Sequence, residues 1–195
     1  MRIRFVTSNQ WKFNEISEAC RRKGIEVEWV RMKYEEIQAD DTEEIARTSC
    51  ERVSAQLGSG FFLEDTGLYV GGALGGFPGP YSSYVSKTIG NAGLLKLLEG
   101  KERGGAYFLT VIAYFDGTVV RTFRGGILEG TIADAPRGSN GFGFDPVFIP
   151  SGHSRTLAEM STSEKNMISH RSSALSRFLE YLAGRGGNGK AVHGQ

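Results

Sequence analysis

The stretch from residue 2 to residue 32 constrains the fold more than any other part of the chain. Residues 2–7 alternate and are rich in β-formers, with Ile3, Phe5 and Val6 set among polar neighbours. From Gln10 to about Lys23, Phe13, Ile16 and Cys20 recur at helical spacing, and Gly24 supplies the stop. Residues 25–32 return to a strand through Ile25, Val27, Trp29 and Val30. A strand, a helix and a second strand in succession produce parallel pairing, because parallel neighbours need a long crossover.

A second helix starts at Asp41 or Thr42, where Asp41 and Glu44 have capping-box spacing, and it would bury Ile45, Ser49, Val53 and Leu57. Phe61-Phe62-Leu63 reads as a short buried strand that ends in Glu64-Asp65-Thr66-Gly67 and resumes over Leu68 to Val70. A Gly/Pro-rich loop, Gly71 to Pro80, precedes helical stretches at Tyr81 to Ile89 and Asn91 to Leu98. Residues 106–115 and 118–124 read as strands joined by the hairpin dipeptide Asp116-Gly117, and a further strand covers 126–133. The loop 134–146 follows, and a final helical region runs from about Thr162 to Leu182 behind a capping box, Ser161 and Glu164. Helices and strands that alternate and then give way to a hairpin predict an α/β fold with a mixed sheet. The length, 195 residues, suits one domain or two small lobes sharing a core, expected over residues 1–183. The Gly-rich polar stretch 184–195 is expected to be disordered.

Composition removes several function classes. The net charge is +1 with no block of like charge, which leaves no footprint for gripping a nucleic acid but does not exclude a small anion. No apolar run approaches the roughly 20 residues needed to span a membrane. The N-terminus enters a strand without a signal-peptide pattern, and Cys20 and Cys50 sit in helical text with no CxxC and no partnering histidines. A cytoplasmic protein with two small buried thiols is the expectation. Gly184 to Lys190 has P-loop spacing, but Ala191 follows where the magnesium-binding hydroxyl belongs and no strand leads in, so it is set aside.

Ligands of α/β sheets bind beyond strand ends, and three segments fit. Thr7-Ser8-Asn9-Gln10-Trp11-Lys12 joins the first strand to its helix; small polar side chains, helix amides and Lys12 suit a phosphate, while spacing alone favours a plain helix cap with solvated Lys12. In Glu64-Asp65-Thr66-Gly67 the adjacent carboxylates point to opposite sides of an extended backbone. One of them, with Glu35 or Glu36 from the preceding loop, can hold Mg²⁺, or both can be solvated acids of a turn. Gly141-Phe142-Gly143-Phe144-Asp145-Pro146 offers close backbone approach, two rings to stack on a base and an acceptor for a ring N–H, or simply anchors a loop. Near the C-terminus, Lys165 and Arg171 are six residues apart, about 120° on one straight helix; they reach one ligand only if the helix breaks near Ser169, and otherwise lie on a surface helix.

In this order the segments resemble the inosine triphosphate pyrophosphatase family, which removes deaminated purine nucleotides such as ITP, dITP and XTP. The matching text is Thr-Ser-Asn-x-x-Lys at 7–12, Glu-Ile-Gln at 36–38, Leu-Glu-Asp-Thr-Gly-Leu at 63–68 and Gly-Gly-Phe-Pro-Gly-Pro-Tyr-Ser at 75–82. It continues with Gly-Phe-Gly-Phe-Asp-Pro at 141–146, Ala-Glu-Met at 158–160, Glu-Lys-Asn at 164–166 and Ser-His-Arg at 169–171, so the resemblance covers about residues 2–183. It implies a two-lobed α/β fold with a cleft between the lobes, a homodimer, and cleavage between the α and β phosphates. It further implies that Thr7, Ser8, Asn9, Gln10, Trp11 and Lys12 hold the triphosphate, that Glu36 and Asp65 bind Mg²⁺, and that Asp65 serves the attacking water. Thr66 would contact substrate, Phe142, Gly143, Phe144 and Asp145 would frame the base, Lys165 would meet phosphate, and His170 and Arg171 would read the purine edge. Ser8 stands where glycine is common and Thr66 where serine is frequent. Residues 39–42 look one residue longer than in close relatives. Arg52 is the nearest cation to a lysine often found at 49–52, and no role is assigned to it.

Overall fold

The computed structural model describes residues 1–187. Strand β1 (Arg2–Val6), helix α1 (Gln10–Arg21) and strand β2 (Glu26–Val30) form the expected parallel unit, with Arg2 opposite Glu26 and Val6 opposite Val30. Helix α2 (Thr42–Leu57) follows, capped by the Asp41 side chain, which accepts the Glu43 N–H. Then come β3 (Phe61–Gly72), β4 (Pro78–Gly79), α3 (Ser82–Thr88), α4 (Gly90–Leu97), β5 (Arg103–Phe115), β6 (Val120–Ile132), β7 (Phe148–Pro150), α5 (Thr162–Ile168) and α6 (His170–Gly187). The mixed sheet has the order β2-β1-β3-β5-β6-β7, with β4 paired to β3 off that path.

Two expectations are corrected. The short strand ending at Glu64 is part of one long strand, because β5 pairs with β3 continuously from Phe61↔Phe115 to Val70↔Ala106 and carries the ladder through the polar residues. The two strands 118–124 and 126–133 are also one, β6, in which the register slips by a residue at Gly125: Val111 pairs with Arg124 and Thr110 with Gly126. The last helix continues to Gly187, four residues into the stretch expected as a tail; residues 188–195, and with them the end of the P-loop-like text, lie outside the described residues.

Period-two alternation distributes the core. On one face of the sheet Phe5, Phe62 and Ile112 pack against Ile16 and Cys20 of α1 and Ala174, Leu175 and Phe178 of α6. On the other, Val6, Phe61, Leu63 and Val111 pack against Ala46, Cys50 and Val53 of α2. Farther along the same long strands, a third cluster joins Leu68, Val70, Ala106 and Phe108 to Val85 of α3, Leu94 of α4 and the following Leu98, and to Phe144, Phe148 and Leu157. These clusters are the cores of two lobes, and β3 and β5 pass through both. Both cysteines are buried and free.

One edge of β3 creates the cleft. That edge pairs with β1 at Phe61 and Phe62 and with β4 at Leu68 and Tyr69, leaving Leu63 to Gly67 without a neighbouring strand on that side among the described residues. The sheet splits there, and the polar residues of β3 lie at the split.

Candidate active site

A cleft of about 420 Å³ opens at the split. Its walls include Thr7, Ser8, Asn9, Lys12, Glu36, Asp65, Thr66, Phe142, Gly143, Phe144, Asp145, Lys165, His170 and Arg171, so nearly every residue singled out in the sequence converges on one space. Gln10 and Trp11 do not line it. Asn9 caps α1, its Oδ1 accepting the N–H groups of Trp11 (2.9 Å) and Lys12 (3.3 Å), and the first helical turn then rotates residues 10 and 11 outward while Lys12 comes back to the cleft. Trp11 borders a smaller recess of about 40 Å³ instead. The helix-cap reading of Asn9 therefore holds, but solvated Lys12 does not: its ammonium lies 3.0 Å from Glu64 Oε1.

The break at Ser169 is present. Ser169 is extended between α5 and α6, and its hydroxyl accepts the Ser172 N–H at 3.1 Å, capping α6. The break turns both cations inward: Lys165 is 3% and Arg171 2% exposed, which rules out a surface helix. Room for the first turn of α6 comes from Gly126, where a Cβ would overlap the His170 carbonyl.

Two carboxylates not assigned to the site from the sequence, Glu15 and Glu64, organise it; they are 4% and 2% exposed. Lys165 Nζ reaches Glu15 Oε1 (2.8 Å) and Asp145 Oδ2 (2.6 Å). The Arg171 guanidinium donates through Nη1 to Glu15 and through Nε to Glu64 Oε1 (3.2 Å). Lys12, Glu64, Arg171, Glu15, Lys165 and Asp145 thus form one buried chain of alternating charge. Burial opposes ionisation of Glu64, yet Arg171, Lys12 and the Thr66 hydroxyl (2.6 Å) bring it down to about 2. Burial likewise opposes ionisation of Glu15, and Arg171 and Lys165 hold it below its ordinary range.

Asp65 differs from its neighbour because the strand turns it to the opposite face. Burial, opposed by Lys12 and reinforced by the Glu36 and Glu64 carboxylates, pushes it up to about 7. Its Oδ2 is buried with no hydrogen-bond partner among the described residues. Tyr34, which also lines the cleft, is raised well above an ordinary phenol by burial and by Glu36 and Asp65.

At the other end of the cleft the Phe142 ring lies 5.2 Å from Lys165 Nζ and 5.7 Å from the Arg171 guanidinium carbon. Asp145 Oδ2 accepts the Phe142 N–H at 2.8 Å as well as Lys165, fixing the loop, and Asn91 Nδ2 donates to the Gly143 carbonyl at 3.0 Å. His170 stacks on Phe108 with centroids 4.7 Å apart; burial and the adjacent Arg171 and Lys165 hold it well below its ordinary value, so the ring is neutral, and its Nδ1 has no partner among the described residues. The Thr66 hydroxyl bonds Glu64 and Thr110 (2.6 Å each), which makes it a support for Glu64. Lys33, Tyr34, Ser83, Ser86, Lys87 and Phe108 also line the walls, and none of them was singled out in the sequence; Ser82, the last residue of the 75–82 motif, lines them too. A run of hydroxyls and a lysine on a helix has no pattern that separates it from a solvated face. Arg52 is exposed and outside the lining.

The family model of the Ham1 family matches residues 3–181. A dITP/XTP pyrophosphatase of Thermococcus kodakarensis is 50% identical over 182 residues, covering 93% of this chain and 97% of that protein. Another from Methanopyrus kandleri is 48% identical over 190 residues, covering 95% and 100%. The solved structure of the Staphylococcus aureus Ham1 protein matches with a TM-score of 0.78 at 29% identity, covering 95% of this chain and all of that one. With the fold, the span of the match and these relatives in agreement, the chain belongs to the Ham1 family.

Proposed function

We propose that this chain hydrolyses deaminated purine nucleoside triphosphates, ITP, dITP and XTP, to the monophosphate and pyrophosphate, and so clears them from the nucleotide pool of the cytoplasm. The relatives that are dITP/XTP pyrophosphatases support the reaction class. The observation that carries it is Asp65, whose buried Oδ2 has no hydrogen-bond partner among the described residues and which lines a cleft between a capped helix start and an aromatic, cation-backed loop.

Water attacks the α-phosphorus, the bond to the bridging oxygen breaks, and pyrophosphate leaves. Asp65, whose Oδ2 has no hydrogen-bond partner among the described residues, aligns that water and accepts its proton. Mg²⁺ fits the donor set: Asp65 and Glu36 line the same cleft, and one or two carboxylates with the remaining positions left to water and phosphate oxygens is the ion's usual arrangement. Among the described residues no group of three or more His, Cys, Asp or Glu side chains is placed to hold a metal ion. When bound it would neutralise phosphate charge.

Base selection falls to Phe142, which presents a ring face, and to Arg171. Two of its nitrogens are held by Glu15 and Glu64, and Nη2 has no partner among the described residues. A fixed donor there pairs with the 6-carbonyl of hypoxanthine or xanthine and faces the amino group of adenine unpaired, which gives large discrimination. Exposed Phe77, Tyr81 and Tyr84 supply apolar surface for the homodimer, which size-exclusion chromatography tests. Among the described residues no helix is long and apolar enough to cross a membrane.

The deciding assay incubates enzyme and Mg²⁺ with ITP and with ATP separately. Pyrophosphate from ITP, with kcat/KM at least about 100-fold above ATP, is expected. Orthophosphate release, or equal turnover of both, would sink the reading.

A further inference from the structure

The distribution of charge in the cleft points to a residue outside the motifs. The three cations that the motifs supply are already committed: Lys12 to Glu64, Lys165 to Glu15 and Asp145, and Arg171 to Glu15 and Glu64. A polyphosphate needs positive charge that the protein has not neutralised itself. Two further cations line the cleft, Lys33 and Lys87, and neither forms an ion pair with a carboxylate among the described residues. Lys33 lies on the irregular segment that carries Glu36, and no hydrogen bond fixes its ammonium among the described residues. Lys87 is fixed. Its Nζ donates to Ser83 Oγ at 2.8 Å, one turn back on α3, and Ser82, Ser83, Ser86 and Lys87 all reach the cleft from one side of that helix.

The helix itself is anchored beside the reacting carboxylate. Ser82 Oγ accepts the Leu68 N–H (2.7 Å) and donates to the Gly79 carbonyl (2.7 Å), which ties the start of α3 to β3 two residues beyond Thr66. The turn 7–9 and the start of α1 leave the sheet at one end of the gap in β3, and α3 stands at the other.

We propose that Lys87, oriented by Ser83, is a polyphosphate-binding residue of this chain, supplying countercharge to the phosphates that leave as pyrophosphate. The inference rests on the nucleotide pyrophosphatase reading of the cleft, and it predicts a dependence on the β and γ phosphates that the base-reading residues do not share.

Lys87 is exposed, so Lys87→Ala is expected to keep the wild-type melting temperature. Its KM for ITP should rise about tenfold with a smaller change in kcat. Pyrophosphate binding, followed by calorimetry, should weaken by a similar factor, while IMP binding stays at the wild-type level. Lys87→Arg should restore most of the loss because it keeps the charge. Unchanged pyrophosphate binding in Lys87→Ala would overturn the inference. An equal loss for IMP and pyrophosphate would also overturn it, because the lysine would then serve the nucleoside end. Pyrophosphate binding needs no turnover, so the role of Lys87 is tested even if wild-type enzyme fails to cleave ITP, an outcome that would sink the functional reading instead.

Discussion

Glu64 and Asp65 are adjacent, yet one is ionised far into acid and the other titrates near neutrality. The cause is the pleat: Glu64 faces α1 and α6, where Lys12 and Arg171 wait, and Asp65 faces the α2 side with Glu36 for company. Asp65→Asn should lower kcat by about 10²- to 10⁴-fold while ITP still binds, measured by steady-state kinetics and calorimetry. The same variant has a readout without substrate. A carboxyl raised from 3.8 to about 7 in the folded state contributes stability that is full below pH 3.8 and is lost as pH rises toward 7. His170, depressed from 6.5, contributes stability that is full above pH 6.5 and is lost as pH falls. The two slopes oppose each other between pH 5 and 6.5. In metal-free Asp65→Asn the opposing Asp65 slope is gone, so Tm should rise with pH just below pH 6.5 more steeply than in wild-type. Arg171→Ala leaves Glu15 and Glu64 buried without their shared partner. It should cost about 3–5 kcal/mol, or about 10 °C in Tm, and erode the preference for ITP over ATP, as thermal melting and paired kinetics would report.

At the scale of elements, the start of α6 is the delicate joint. Gly126→Ala drives a methyl group into the His170 carbonyl, so α6 must retreat from β6 and take Arg171 with it. A loss of about 1–3 kcal/mol in stability, with kcat/KM for ITP falling by more than that of a Gly184→Ala control, is expected from melting and kinetic measurements; no atom lies within 4 Å of a Cβ at Gly184. The helix break beside it was one of two readings the sequence allowed, since cations six residues apart reach one ligand only across a break and Ser169 has the chemistry of a cap; their burial decides for the break. The continuity of β3 was not legible: Glu64-Asp65-Thr66-Gly67 has the composition of a turn, and only its ladder with β5, some 45 residues on, holds it extended. Gly125 and Gly126 likewise read as an interruption of β6, whereas they are a bulge and a close approach within it. Glu15 escaped notice for the same kind of reason. A glutamate on α1 looks solvated until Lys165 and Arg171, 150 and 156 positions away, are seen to close over it.

The molecule as a whole has two lobes but not two sheets. Two of the three apolar clusters flank the same stretch of the long strands on opposite faces and the third lies farther along, and the cleft is the place where β1 has stopped and β4 has not begun. A spine common to both halves has a consequence for how the protein comes apart. Neither half can melt while the other keeps its edges intact, since losing one would strip β3 and β5 of half their length. Heating should therefore give a single calorimetric peak whose van't Hoff and calorimetric enthalpies agree, and damage placed in one half should lower that one peak without splitting it.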